Sequence, residues 1–138
     1  MMQPDAKARL NAFLKASVNR PFSWGEFDCS LFVADAVKAM TGHDFAAPYR
    51  GRYTTELGAV RALKRYGQGN LKTTLTALFG PMLGPRCATD GDIALVKTPT
   101  GDALGLVYRC GIWVTGPNGL DKLPLRFAKG AWEVTCQQ

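Results

Sequence analysis

The chain has 138 residues, enough for one hydrophobic core and one domain spanning 1–138. With 46% hydrophobic and 20% charged residues it has a globular composition, which excludes a disordered chain, and no apolar run reaches the length that crosses a bilayer. The net charge of +6 suits nucleic acid, anionic lipid or an acidic protein surface, but the cations are scattered and form no long basic run, so nucleic acid is an unfavoured partner.

Ala6, Leu10, Phe13, Leu14 and Val18 fall on one face of a helix expected over Asp5–Asn19, ended by Arg20-Pro21 because the residue before proline is pushed out of the α region. The residues ahead of it lack the apolar stretch of a secretory signal, which predicts a protein made and folded in a cytoplasm. A second helix is expected from Asp28 to about Met40, carrying Leu31, Phe32, Ala34, Ala36, Val37 and Met40 and stopped by Gly42. Thr41–Tyr53 has no period and reads as a structured loop. Thr54 is expected to cap a third helix that ends at Gly67, and Asn70 a short fourth one that ends at Gly80-Pro81. After Pro85 the texture changes to short strands: Asp92–Val96, Leu104–Arg109, Ile112–Thr115, Leu120–Leu125 and Ala131–Thr135, with a strong turn at Pro117-Asn118-Gly119. Helices followed by antiparallel strands predict an α+β fold.

The chemistry concentrates at Asp28-Cys29-Ser30. Asp28 is placed to cap the second helix, so Cys29 falls in its first turn, where free amides and the helix dipole favour a thiolate. Two meanings of that position stand side by side: an activated nucleophile, or a small buried residue. The four cysteines, Cys29, Cys87, Cys110 and Cys136, are widely spaced and His43 is the sole histidine, so no metal site and no cofactor is expected; free thiols are the default, with a bridge among the later three left open. His43 follows the far end of the cysteine helix, about 20 Å from Cys29 at ~1.5 Å per residue, and reads as a solvated loop residue rather than a base. Trp24, Trp113 and Trp132 read as packing residues.

The block Pro21-Phe22-Ser23-Trp24-Gly25-Glu26-Phe27-Asp28-Cys29, the loop Pro48-Tyr49-Arg50-Gly51-Arg52-Tyr53, Gly91-Asp92 opening a strand and the late Ala131-Trp132 together resemble the NlpC-type papain-like cysteine peptidases, and more closely a small phage-encoded offshoot of them. The resemblance runs from about Arg20 to Val134. It implies a papain-like fold with the cysteine helix packed on a C-terminal antiparallel sheet, and it puts Cys29 in the nucleophile's place. Matching Ala103-Leu104-Gly105-Leu106-Val107 to the family's second strand puts Ala103 where the base histidine stands, with Thr115 on the next strand at the position that orients it. Phe22 replaces a usual tyrosine. Alanine neither takes a proton from a thiol nor returns one to a leaving amine, steps worth roughly 10²–10⁴-fold. On that implication Ala103 faces Cys29, and Asp102 points to the other side of its strand.

Two functions from different classes follow from the resemblance. The first is a structural component of a phage tail tip, in the baseplate or hub region of the virion. It would be catalytically silent, and its partners would be other tail-tip proteins. A patch including Arg50, Arg52 and Tyr53 would be the surface covered in the assembly. The second is an active cell-wall peptidoglycan hydrolase using Cys29. Neither calls for a membrane.

Overall fold

The computed structural model describes residues 4–99 and 101–134. Four helices precede a five-stranded antiparallel sheet: α1 Pro4–Ser17, α2 Cys29–Thr41, α3 Glu56–Tyr66, α4 Leu71–Phe79, then β1 Ile93–Thr98, β2 Gly101–Tyr108, β3 Gly111–Gly116, β4 Gly119–Pro124 and β5 Ala128–Trp132. The strand order is β4-β3-β2-β1-β5. The expected α+β class is therefore present, with each helix and strand close to its sequence position.

Local chemistry accounts for the ends. Asp28 caps α2 through Leu31 N–H, and Gly42 closes the helix in the left-handed region at φ 84°. Asn70 caps α4 through Thr73 N–H. The cap of α3 is Thr55 rather than Thr54: its hydroxyl accepts from Gly58 N–H at 3.0 Å, three residues on, the spacing a capping side chain needs. α1 ends two residues before Asn19, where Arg20 N–H turns back to the Ser17 carbonyl.

The strands differ at their edges. β1 starts at Ile93; the residue before it, Asp92, turns its N–H back to Thr89 O, and its buried carboxylate accepts from Thr89 and from Val134 N–H. β4 stops at Pro124, and Leu125 begins a 3-10 turn instead of continuing the strand. β5 begins at Ala128, earlier than expected; Thr135, the expected end, lies outside the described residues, as does Cys136. The β2–β3 hairpin turns through Arg109 and Cys110, both at positive φ without glycine, held by Arg109 N–H donating to Asp90.

The sheet has two apolar faces. On the helix side, Ala6, Leu10 and Leu14 of α1, Phe32, Val33, Ala36, Val37 and Met40 of α2 and Leu75 of α4 pack with Ile93, Leu95, Leu104, Leu106, Tyr108 and Trp132. Residues from both halves of the chain thus share one core. The other face carries smaller side chains, Ala94, Val96, Val107, Ile112 and Ala128, with Ala103, Leu123 and Leu125 at its margin. Ala88 and Leu125, at the two 3-10 turns, pack against that side.

Candidate functional site around Cys29

The site grows from a tight turn. Ser23 and Phe27 bridge one another, with Phe27 N–H donating to Ser23 O at 2.8 Å, and Phe22 N–H fastens the turn to the end of β3 through Gly116 O at 2.9 Å. Gly25 sits at the turn's corner with φ 82°, and a Cβ there would run into the Tyr53 carbonyl oxygen. Glycine is required on both counts. Phe27 is fully buried under the Arg20 guanidinium and against Phe32. The turn delivers Asp28 in an extended conformation, and α2 begins at the next residue.

Asp28 is 1% exposed and its carboxylate is fully engaged. One oxygen accepts from Leu31 N–H at 3.0 Å; the other accepts from Gly25 N–H at 3.0 Å and from the Tyr53 hydroxyl at 2.5 Å. The Tyr53 phenol is pushed well up, by burial and then by donating to this carboxylate. Tyr53 reaches Asp28 from the loop after α2, and Arg50 braces that loop with ion pairs to Asp44 and Asp35, both at 2.6 Å. The Arg50 guanidinium beside Asp44 holds the Asp44 carboxyl below the ordinary carboxylate range. Sequence reasoning missed this arrangement. Arg50 and Tyr53 are not an exposed contact patch; of the three residues expected there only Arg52 is exposed, because the other two have polar partners within their own fold. A hint was available in Asp28, since a buried capping acid calls for more than one donor.

Cys29 stands in the first turn of α2, and α2 packs on β2 and β3. Its sulfur lies 3.9 Å from Ser30 Oγ. The expectation of a lowered thiol pKa is reversed. Burial pushes the thiol up, the backbone amide of Leu104 opposes this in part, and the neighbouring Asp28 anion adds to the rise. The amides of the first turn do not offset burial and an adjacent negative charge.

The strand that approaches Cys29 is β2, through the backbone amide of Leu104. Leu104 belongs to the helix-side core against which Cys29 packs, while Ala103 packs on the opposite face with the Ala94, Val96, Val107, Ile112 and Ala128 cluster. Alternation puts the Leu104 and Ala103 side chains on opposite faces, and the β1–β2 register is regular through Leu95↔Leu104 and Val96↔Ala103. Asp102 shares a face with Leu104, at the exposed end of β2, where it pairs with Lys129 at 3.3 Å. Thr115 lies on β3 opposite Leu120, half-buried, and shares its face with Trp113, which packs on the helix-side core. The β2–β3 ladder runs only from Tyr108↔Gly111 to Leu106↔Trp113, so Thr115 is beyond its end.

The remaining candidates fall elsewhere. His43 is exposed beyond the C-terminal end of α2, beside a cavity of about 680 Å³ lined by Val37, Phe45, Phe79 and Glu133. Trp132 is fully buried and donates to Thr76 Oγ1 at 3.2 Å; Trp24 stacks edge-on against Phe22; Trp113 lies beneath the Lys122 ammonium. All three pack as expected. Cys29, Cys87 and Cys110 are free thiols, and among the described residues no cluster of three or more His, Cys, Asp or Glu side chains is arranged to hold a metal ion. No helix among the described residues is long and apolar enough to cross a membrane.

The arrangement thus has a thiol at a helix start, a capping acid whose oxygens are occupied, and a strand amide beside the sulfur. No curated protein matches the chain. One family does, that of the Domain of unknown function DUF6950, over residues 1–134. The match covers nearly the whole sequence, and the protein belongs to this family.

Proposed function

We propose that this protein is a structural component of a phage tail tip, built on a degenerate papain-like, NlpC-type fold and catalytically silent. The reading combines the resemblance of the Pro21–Cys29 block with one observation: Cys29 stands in the first turn of α2, and among the described residues no histidine or free carboxylate is placed beside its sulfur. A thiol needs a base within about 3 Å, or one bridging water away, to attack an amide and return a proton to the leaving amine. The nearest acid, Asp28, already accepts three hydrogen bonds, and two of them hold the turn and the helix start in place. His43 stands beyond the other end of α2. The thiol is raised rather than lowered, which opposes attack further. Other tail-tip proteins are the partners on this reading, and the virion is its location.

Two measurements test it. Purified protein incubated with cell-wall peptidoglycan is expected to release no new amino groups, with Cys29→Ala indistinguishable from wild type. Mass spectrometry of purified virions from a phage encoding the chain is expected to find it at a fixed stoichiometry. Hydrolysis abolished by Cys29→Ala overturns the silent reading in favour of a cell-wall hydrolase, and absence from the particle overturns the tail-tip reading.

A further inference from the structure

Helix α3 is the element least absorbed into the core. Of its eleven residues only Ala62 is buried. It lies on the fold through its small residues: a Cβ at Gly58 would come within 2.9 Å of the Tyr53 side chain, and one at Gly67 within 2.6 Å of the Tyr49 hydroxyl. That close seat turns the other face outward. Leu57 is 59% exposed and Val60 43%, one helical turn apart. Arg61 and Lys64 flank them, both exposed. At the C-terminal end the ring of Tyr66 carries two guanidinium groups, Arg52 at 5.3 Å and Arg65 at 5.5 Å. Among the described residues none of these four cations enters an ion pair, and from residue 51 to 80 the sole acid is Glu56.

We infer that this face of α3 is a docking surface for an acidic protein surface bearing an apolar strip. The composition selects among occupants. Cations in the last turn complement the helix dipole, which accounts for Lys64 and Arg65 but not for two aliphatic side chains held in water. Nucleic acid is gripped through phosphates by cations and has no use for Leu57 and Val60 at the centre of the patch. An anionic bilayer needs a broad apolar face to sink into, and two aliphatic residues on a helix seated by its other side are too few. A second copy of the same face would bring like charges together. An acidic protein partner uses both parts, the apolar pair at the centre and the guanidinium and ammonium groups at the rim. The surface does not depend on whether Cys29 is silent or on where the protein resides.

The test uses the full chain and three labelled probes: a synthetic amphipathic peptide with a Leu seam flanked by Glu, a DNA duplex, and vesicles containing phosphatidylserine. Binding is read by fluorescence anisotropy, or by co-sedimentation for the vesicles, at low and physiological salt. The acidic peptide is expected to bind. Leu57→Ser with Val60→Ser should weaken it about tenfold, and Arg61→Glu with Lys64→Glu should weaken it further and flatten the salt dependence. These positions are exposed, so thermal unfolding of both variants is expected to match wild type. The inference is overturned if the peptide does not bind, or if binding is untouched by the serine pair. It is equally overturned if DNA or vesicles bind more tightly than the peptide through the same residues.

Discussion

Asp28 is the residue on which the Cys29 region depends most. It satisfies a helix cap, a turn amide and a phenol with two oxygens, and at 1% exposure water cannot replace it. Asp28→Ala removes the cap and strands Gly25 N–H and the Tyr53 hydroxyl, at a cost of about 4 kcal/mol. Tyr53→Phe leaves the other two bonds intact and should cost about 2 kcal/mol. Urea unfolding of the pair measures both; equal losses would mean that the phenol, not the cap, carries the stability. Cys29 supplies a second prediction at this scale. Its folded thiol pKa is raised above 9.0, so the unfolded chain gives up that proton first as the pH climbs. The thiol's contribution to stability is therefore fully present at neutral pH, begins to be lost as pH passes the unfolded thiol value and goes on being lost as pH rises through the folded one. Wild type should lose stability relative to Cys29→Ala between neutral pH and about pH 10. At neutral pH iodoacetamide should modify the exposed Cys87 and Cys110 well before Cys29. Modification of Cys29 first would show an activated thiol and contradict the electrostatics described above.

Among the elements, the turn before α2 and the glycine after it make a controlled comparison. Gly25 and Gly42 have nearly the same φ, 82° and 84°, but a Cβ at Gly25 meets the Tyr53 carbonyl whereas one at Gly42 meets nothing within 4 Å. Gly42→Ala should therefore cost only the left-handed strain, about 1 kcal/mol, and Gly25→Ala about 3 kcal/mol or more, because backbone must move. Thermal or urea unfolding of the two variants decides it, and equal costs would show that the loop at Tyr53 shifts freely. Helix α2 itself was legible in the sequence: Asp28, the 3.6-residue apolar period and Gly42 each point to one helix with those ends. The loop after it was not. Arg50 meets Asp35 and Asp44, and Tyr53 meets Asp28 across 25 positions, pairings that leave no local pattern.

For the whole molecule, the two sides of the sheet decide what β2 offers to Cys29. Ala103 packs among small residues on the far side, next to Val96, and Leu104 faces the cysteine helix. Ala103→His is expected to seat its imidazole against that far-side cluster rather than beside the thiol. It should leave the alkylation rate of Cys29 unchanged and cost about 1–3 kcal/mol where the ring overfills the margin of that cluster. A faster Cys29 in Ala103→His would show that β2 can slip by one residue and reverse its faces. The Gly105 position argues against a slip, since a Cβ there would strike the Ile112 side chain.

The sequence alone was sufficient for the α+β order of elements, the cap at Asp28, the place of Cys29 in the first turn of α2 and the separation of His43 from it, because each of these depends on neighbours within one helical turn or on chain distance along one helix. The tertiary structure decided the rest. Which face Ala103 takes depends on the register of β2 against β1. Whether the Cys29 thiol is lowered or raised depends on burial beneath a sheet formed some seventy residues later in the chain. The commitment of Arg50 and Tyr53 inward, and with it the outward face of α3, depends on contacts between segments that carry no shared period. Local chemistry is written in adjacent residues; burial, strand faces and surface arise only when distant segments meet.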